Sequence, residues 1–244
     1  MTMITTGGRT TYGEALGIIT LDTRFPRIPG DVGNASTYPF PVRYVKVSGA
    51  TVRRVIKERG RGLLPAFIRA ARQLESDGVR AITTTAGFLA LYQKEMADAV
   101  TVPFFSSSLI QVPLVHQMLG PDTKIGIITA DSSSLSKTHL SAVGIKREIP
   151  LAIAGLQNGP EFSQWLLNNG EKLDVDRVES EILRICKRLV RSEPSIGALV
   201  FECTNLPPFA AAVQEATHLP VFDIVTLSHM VHNTVVRRRY LGFM

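Results

Sequence analysis

The chain is expected to fold as α/β, with two pseudo-symmetric halves, each a parallel sheet flanked by helices, and the active site in the cleft between them. Three observations predict this. Short apolar runs alternate with amphipathic stretches along most of the chain, the pattern of strands joined by crossover helices. The tetrapeptide GIIT occurs at Gly17–Thr20 and again at Gly126–Thr129, each copy followed two residues on by an aspartate, Asp22 or Asp131. A longer pair then appears: AITTTAGFLALYQKEMADAVTVPFF from Ala81 and ALVFECTNLPPFAAAVQEATHLPVF from Ala198, related without a gap by 198 − 81 = 117 residues. Each member reads strand, turn, helix, strand, so the repeat unit is a supersecondary one.

In chain order, strands are expected at Ala15–Thr20, Val42–Val47, Val79–Thr84, Val102–Phe105, Lys124–Thr129, Leu151–Ala154, Ala198–Phe201 and Pro220–Asp223. Helices are expected between them at Leu63–Glu75, Gly87–Ala97, Ile110–Leu119, Val175–Arg191 and Pro208–Ala216. Residues 13–118 with 220–244 are assigned to the first half and 119–219 to the second. The opening MTMITT has neither a basic nor a long apolar region, so it is not read as a signal peptide. It resembles the β-galactosidase leader left by cloning vectors, and residues 1–12 are set aside as vector-derived.

Composition narrows the function. A chain of 244 residues, 45 % apolar and 20 % charged, can bury a core without metal or disulfide support. Its two cysteines, Cys186 and Cys203, are too few for a disulfide framework and suit a reducing cytoplasm. The net charge of +6 is scattered, and its densest run, Arg237–Arg239, is read as solvated surface rather than a nucleic-acid stripe. No apolar run approaches the roughly 20 residues of a membrane span. Neither a phosphate-cradling glycine-lysine loop nor a dinucleotide fingerprint follows the first strand. His229 and His232 lack further ligands and are read as packing or surface residues.

In doubly wound folds, sites form at the carboxyl ends of the strands. Two turns therefore stand out. The turn of FECTNLPPF places Cys203 just after a strand, with Thr204 or Asn205 able to cap a helix beginning near Pro207. A helix N-terminus would favour the thiolate, and backbone N–H groups there could hold a carboxylate. Cys203 is thus a candidate base or nucleophile, whereas Cys186, in the amphipathic ILRICKRLV, reads as core. Under the 117-residue shift Cys203 falls opposite Ala86 in TTTAGFL, which carries no reactive group. The serine runs Ser106–Ser108 and Ser132–Ser134 are read first as helix caps.

These motifs resemble those of the aspartate/glutamate racemase superfamily, which works without pyridoxal phosphate. ECTNLPP resembles the second cysteine motif of that family, and ITTTAGFLALYQ its first, apart from the central residue. The likeness spans residues 15–235. It implies two flavodoxin-like halves, no cofactor, a small carboxylate or amino-acid substrate, and proton exchange at its α-carbon between two thiols. By this resemblance Cys203 is one catalytic thiol, Ala86 marks the position of the missing first one, and Asp22 with Thr23 assists the first base. Thr85, Gly87 and Thr204 would hold the α-carboxylate, and Arg24 would meet a distal one. Thr84, Thr129, Ser132 and Asn205 complete the candidate binding set. No nucleic-acid or membrane partner is implied, and pairing of subunits is common in the family.

Ala86 departs from the two-thiol pattern. It leaves three readings: an amino-acid racemase inactivated at its first cysteine, a single-cysteine decarboxylase or isomerase of the arylmalonate decarboxylase type, or a carboxylate-binding protein without turnover. The first is the leading expectation. Asn205, where amino-acid racemases often have a carboxylate, leaves room for a substrate other than aspartate or glutamate.

Overall fold

The computed structural model describes residues 6–244; the first five residues of the expected leader lie outside them. Within Leu16–Thr20 (β1) the first four side chains are all buried, as befits a central parallel strand covered on both faces. Val42–Lys46 (β2), Ala81–Thr84 (β3) and Phe104–Phe105 (β4) complete the first sheet, and Lys124–Thr129 (β5), Leu151–Gly155 (β6), Ile196–Phe201 (β7) and Val221–Phe222 (β8) form the second. The strand orders are β2-β1-β3-β4 and β6-β5-β7-β8, with every pair parallel. The two GIIT copies therefore occupy the equivalent strands β1 and β5, and the 117-residue shift carries β3 onto β7 and β4 onto β8.

The helices are Val52–Ile56 (α1), Leu64–Asp77 (α2), Gln93–Ala97 (α3), Val112–Met118 (α4), Lys137–Ala142 (α5), Pro160–Phe162 (α6), Val175–Ser192 (α7), Ala210–Thr217 (α8) and Ile224–Val235 (α9). Local chemistry sets their limits. Pro65 sits in the first turn of α2, and Gly78, at φ 97°, ends it in the left-handed conformation. Asp174 caps α7 by accepting from Arg177 N, and the buried stripe Val178, Ile182, Ile185 and Cys186 faces the sheet. Asp223 and Thr226 form a reciprocal cap on α9.

Two expectations are corrected here. The helices expected at Gly87–Ala97, Ile110–Leu119 and Pro208–Ala216 each open as 3₁₀ turns, Gly87–Tyr92, Ser108–Gln111 and Pro207–Phe209, before becoming α-helical. The boundary at residue 220 also shifts, because Val221–Phe222 pairs with β7 in the second sheet. The chain returns to the first half only with α9, whose Ile224 and Leu227 pack with Leu16, Ile18 and Phe105. Reciprocally, Val112 and Val115 of α4 pack with Ile125, Ile127 and Val200 of the second sheet. The two equivalent helices are exchanged between the halves. A third core joins Ile19, Leu21 and Phe88 of the first half to Ile128, Leu156 and Leu206 of the second, so the interface between halves is itself hydrophobic core.

Candidate active site

The turns after β3 and β7 meet at this interface. After β3, Thr84 Oγ1 donates to Ser106 O (2.8 Å) and accepts from Ala86 N (3.2 Å), which fixes the turn. Thr85 Oγ1 accepts from Leu21 N at 3.1 Å, tying the same turn to the end of β1. After β7, Cys203 O accepts from Leu206 N at 3.2 Å and closes the opposing turn. A cavity of about 30 Å³ lies between them. Its polar lining is Thr85, Gly87, Glu202, Cys203, Thr204 and Asn205, with Ala86 on the wall supplied by the first half. Its apolar lining comes from Leu21, Phe25, Phe88, Ala130 and Leu166, and from Val52, Val55 and Ile56 of α1.

Cys203 is 5 % exposed and Ala86 9 %. The thiol points its Sγ at Asn205 Oδ1, 3.8 Å away. Asn205 is in turn held by Asp31, whose Oδ2 accepts from Asn205 Nδ2 at 2.6 Å. Asp31 Oδ1 accepts from Arg27 Nη1 at 2.8 Å and from Gly33 N at 2.7 Å. This chain of contacts fixes the amide so that its oxygen, not its nitrogen, meets the thiol. The expectation that a helix N-terminus favours the thiolate is corrected. No helical residue begins before Pro207, and neither Thr204 nor Asn205 caps it. Burial instead pushes the Cys203 thiol well above the ordinary range, and the charge of neighbouring Glu202 adds to it.

Glu202 is enclosed completely, and burial raises its carboxyl to about 7. Thr129 Oγ1 donates to its Oε2 at 2.6 Å, while Oε1 has no hydrogen-bond partner among the described residues. The Thr204 hydroxyl is likewise buried and unpartnered among them. A Cβ on Gly87 would overlap both the backbone oxygen and Oε1 of Glu202, so glycine is required where the two turns touch. Lys57, just past α1, pairs across the cleft with the buried Asp131, which also accepts from Ser133 Oγ (2.6 Å) and Ser134 Oγ (2.7 Å). Burial would raise the Asp131 carboxyl, but the ammonium and the two hydroxyls outweigh it and hold it at about 2.

Several sequence-derived candidates lie elsewhere. Asp22 accepts from Gly49 N (3.0 Å) and Lys46 Nζ (3.3 Å) outside the cavity lining. Thr23 Oγ1 accepts from Arg27 Nη2 at 3.2 Å. Arg24 is exposed and pairs with Glu171 at 3.6 Å. Ser132 bonds to Gln157 in a separate groove at the ends of β5 and β6. Cys186 is fully buried in α7, and His232 stacks on Phe40 with ring centroids 3.5 Å apart. Among the described residues no group of three or more His, Cys, Asp or Glu is placed to hold a metal, and no helix is long and apolar enough to cross a membrane. Sequence reasoning missed Glu202 and Asp31. Glu202 had one available signal, its place beside Cys203 at a strand end. Asp31, in the loop after β1, had none.

This is the fold of the aspartate/glutamate racemase superfamily. Aspartate racemase from Picrophilus torridus superposes with a TM-score of 0.58 at 15 % identity, over 93 % of this chain and 96 % of that one. An arylmalonate decarboxylase gives 0.56 at 13 %, over 92 % and 93 %. An aspartate racemase homologue from Pyrococcus horikoshii OT3 gives 0.55 at 17 %, over 91 % and 99 %. Sequence relatives narrow the family. A dimethylsulfoniopropionate lyase from Durusdinium sp. clade D is 34 % identical over 235 residues, which are 93 % of this chain and 77 % of the relative. Dimethylsulfoniopropionate lyases 7 and 3 of Emiliania huxleyi (strain CCMP1516) are 34 % and 33 % identical over 87 % of this chain, and the chain spans 64 % and 57 % of their lengths. No protein-family model matches the chain. The chain belongs to the dimethylsulfoniopropionate lyase family. The expected amino-acid racemase function is corrected accordingly: the sequence relatives are lyases by name, and likeness to racemases is confined to the fold.

Proposed function

We propose that the chain cleaves dimethylsulfoniopropionate by β-elimination, with Cys203 as the base. The observation that carries this reading is the asymmetry of the cavity: one thiol on one wall and a methyl group on the other. Racemisation needs a proton carrier on each face of the α-carbon. Elimination needs one base only. Cys203, as thiolate, takes a proton from the carbon next to the carboxylate. The C–H electron pair becomes the new carbon–carbon double bond, the C–S bond breaks, and its pair leaves with sulfur. Dimethyl sulfide and acrylate result, with the proton on the thiol.

The remaining lining suits such a molecule. The turns of Thr85–Gly87 and Thr204–Asn205 offer hydroxyl and backbone N–H donors for the carboxylate. Phe25, Phe88, Val52, Val55 and Ile56 offer apolar surface for two S-methyl groups. A positive sulfur beside Cys203 favours the thiolate, opposing the burial that disfavours it. A site of about 30 Å³ has room for little more than a water or two, so the cavity must widen to admit substrate. In the test, the protein is mixed with dimethylsulfoniopropionate, and dimethyl sulfide is measured in the headspace and acrylate in solution. Equimolar release is expected. No release between pH 6 and 9, or release unaffected by Cys203→Ser, would refute the reading.

A further inference from the structure

We propose that Glu202 is the specificity residue that selects a methylated cation, holding the positive end of the substrate through its free oxygen, Oε1. This rests on the lyase reading above and assigns within that site the group that distinguishes a sulfonium from a neutral side chain.

Three observations carry it. Among the described residues, Glu202 is the only one with a charged side chain in the cavity lining. The other charges nearby are committed elsewhere: Lys57 to Asp131, and Arg27 to Asp31. Secondly, Glu202 is fully buried: the Thr129 hydroxyl donates to its Oε2, the backbone N–H of Ala130 also stabilises the carboxylate, and Oε1 has no hydrogen-bond partner among the described residues. A buried carboxylate oxygen without a donor is a strongly unfavourable arrangement. A cation that brings charge but no hydrogen relieves it electrostatically. Thirdly, part of the cavity wall is aliphatic and aromatic, from Phe25, Val52, Val55, Ile56 and Phe88. A methylated onium presents only methyl groups and no N–H donor, so its apolar surface can rest on that wall. A carboxylate beside that apolar wall offers a methylated onium both an opposite charge and surface for its methyl groups.

Glu202 is held in place by the fold. Its Oε1 and its backbone oxygen rest against the bare face of Gly87 from the opposite half, so closure of the two halves positions it. It lies beside Cys203 in sequence, which puts the cation and the reacting carbon in one cavity.

The test uses two unreactive probes of similar shape: 3-(trimethylammonio)propanoate, which is cationic at one end, and 4,4-dimethylpentanoate, its neutral counterpart. Both carry the same carboxylate. Their affinities for the unmodified protein and for Glu202→Gln are measured by titration calorimetry. The unmodified protein is expected to prefer the cation by about tenfold or more, the scale of a charge pair at partly screened distance. Glu202→Gln, which keeps an acceptor for Thr129, is expected to bring the ratio near unity while leaving the neutral probe bound as before. An equal fall in both affinities would show a merely structural role and overturn the proposal, as would a preference that survives the substitution or is absent at the start.

Should the variant fail to fold, the ratio in the unmodified protein between pH 6 and 8 decides. It is expected to rise with pH as Glu202 ionises. The surrounding groups have little part in the change: Asp131 is already ionised, Cys203 stays protonated, and His139, packed on Phe88, is held neutral with a pKa of about 4. A flat ratio would overturn the proposal. Release of dimethyl sulfide by the unmodified protein is measured separately, so loss of the cation preference leaves the lyase reading standing, and absence of release refutes that reading on its own.

Discussion

Replacing Glu202 by glutamine should alter how stability responds to pH. Burial lifts this carboxyl from 4.5 to about 7. Unfolded, the side chain loses its proton near 4.5; folded, it keeps it to about 7. Between those values the unfolded state binds fewer protons, so unfolding becomes easier as pH rises. The contribution is fully present below 4.5 and is gone once pH has passed 7. The gap is 7 − 4.5 = 2.5 pH units, which at ~1.4 kcal/mol per unit is about 3 kcal/mol in all. Glutamine does not titrate and still offers Thr129 an acceptor. Urea unfolding followed by the fluorescence of Trp165, the single tryptophan and a core residue, reads the effect at pH 5 and pH 8. Every other titrating group is shared by the two proteins. The unmodified chain is expected to lose about 2–3 kcal/mol more than the variant over that interval. Parallel losses would mean that Glu202 is not perturbed by its enclosure, and the electrostatic account of the cavity would fail with it.

Cys203→Ser should reduce dimethyl sulfide release by about 10³-fold, since a hydroxyl is a far weaker base than a thiolate, while circular dichroism stays unchanged. In the unmodified protein kcat/KM should climb from pH 6 to 9, because the thiol is pushed upward and only its ionised form can accept the proton; a profile falling over that range would exclude thiolate catalysis. Gly87→Ala should destabilise the fold by about 1–3 kcal/mol, because its Cβ meets Glu202 where the turns touch; the urea midpoint measures this. Asp31→Ala strands Arg27 and the Asn205 amide. A loss of about 1–3 kcal/mol in urea unfolding is expected, together with a lowered kcat from a thiol no longer oriented.

Much of the architecture was written in local pattern. The eight strands described fall where β-branched and apolar runs occur; the central β1, β3, β5 and β7 are almost wholly buried, whereas the outer β2 and β6 are half-buried or exposed along much of their length. The duplication was visible because 117 residues separate equivalent strands without insertion. What the pattern lacked was long-range information. Nothing in the spacing of Val112 or Ile224 says which sheet its helix will cover, so the exchange of α4 and α9 could not be read. The 3₁₀ openings were hidden for a related reason, since three- and four-residue periods coincide over a single turn. At the site, the turns of Cys203 and Ala86 were found and the acids were not. Glu202 and Asp31 look like ordinary surface carboxylates until the fold encloses them. Ala86 was the most informative residue and the most easily misread: a two-thiol template makes it a loss, whereas elimination has no use for a second thiol.

In the proposed elimination, a thiol on one wall and a methyl on the other also make the reaction handed in a way its product conceals. The carbon beside the carboxylate of dimethylsulfoniopropionate bears two hydrogens that are prochiral, alike in connectivity and distinct in space. As the proposed base on one wall, Cys203 would reach one of them. Acrylate is planar and keeps no memory of the choice, so the asymmetry of the cleft survives only as the isotope that departs. Substrate carrying deuterium at one of the two prochiral positions would yield labelled acrylate from one enantiomer and unlabelled acrylate from the other, a record of which wall carries the thiol.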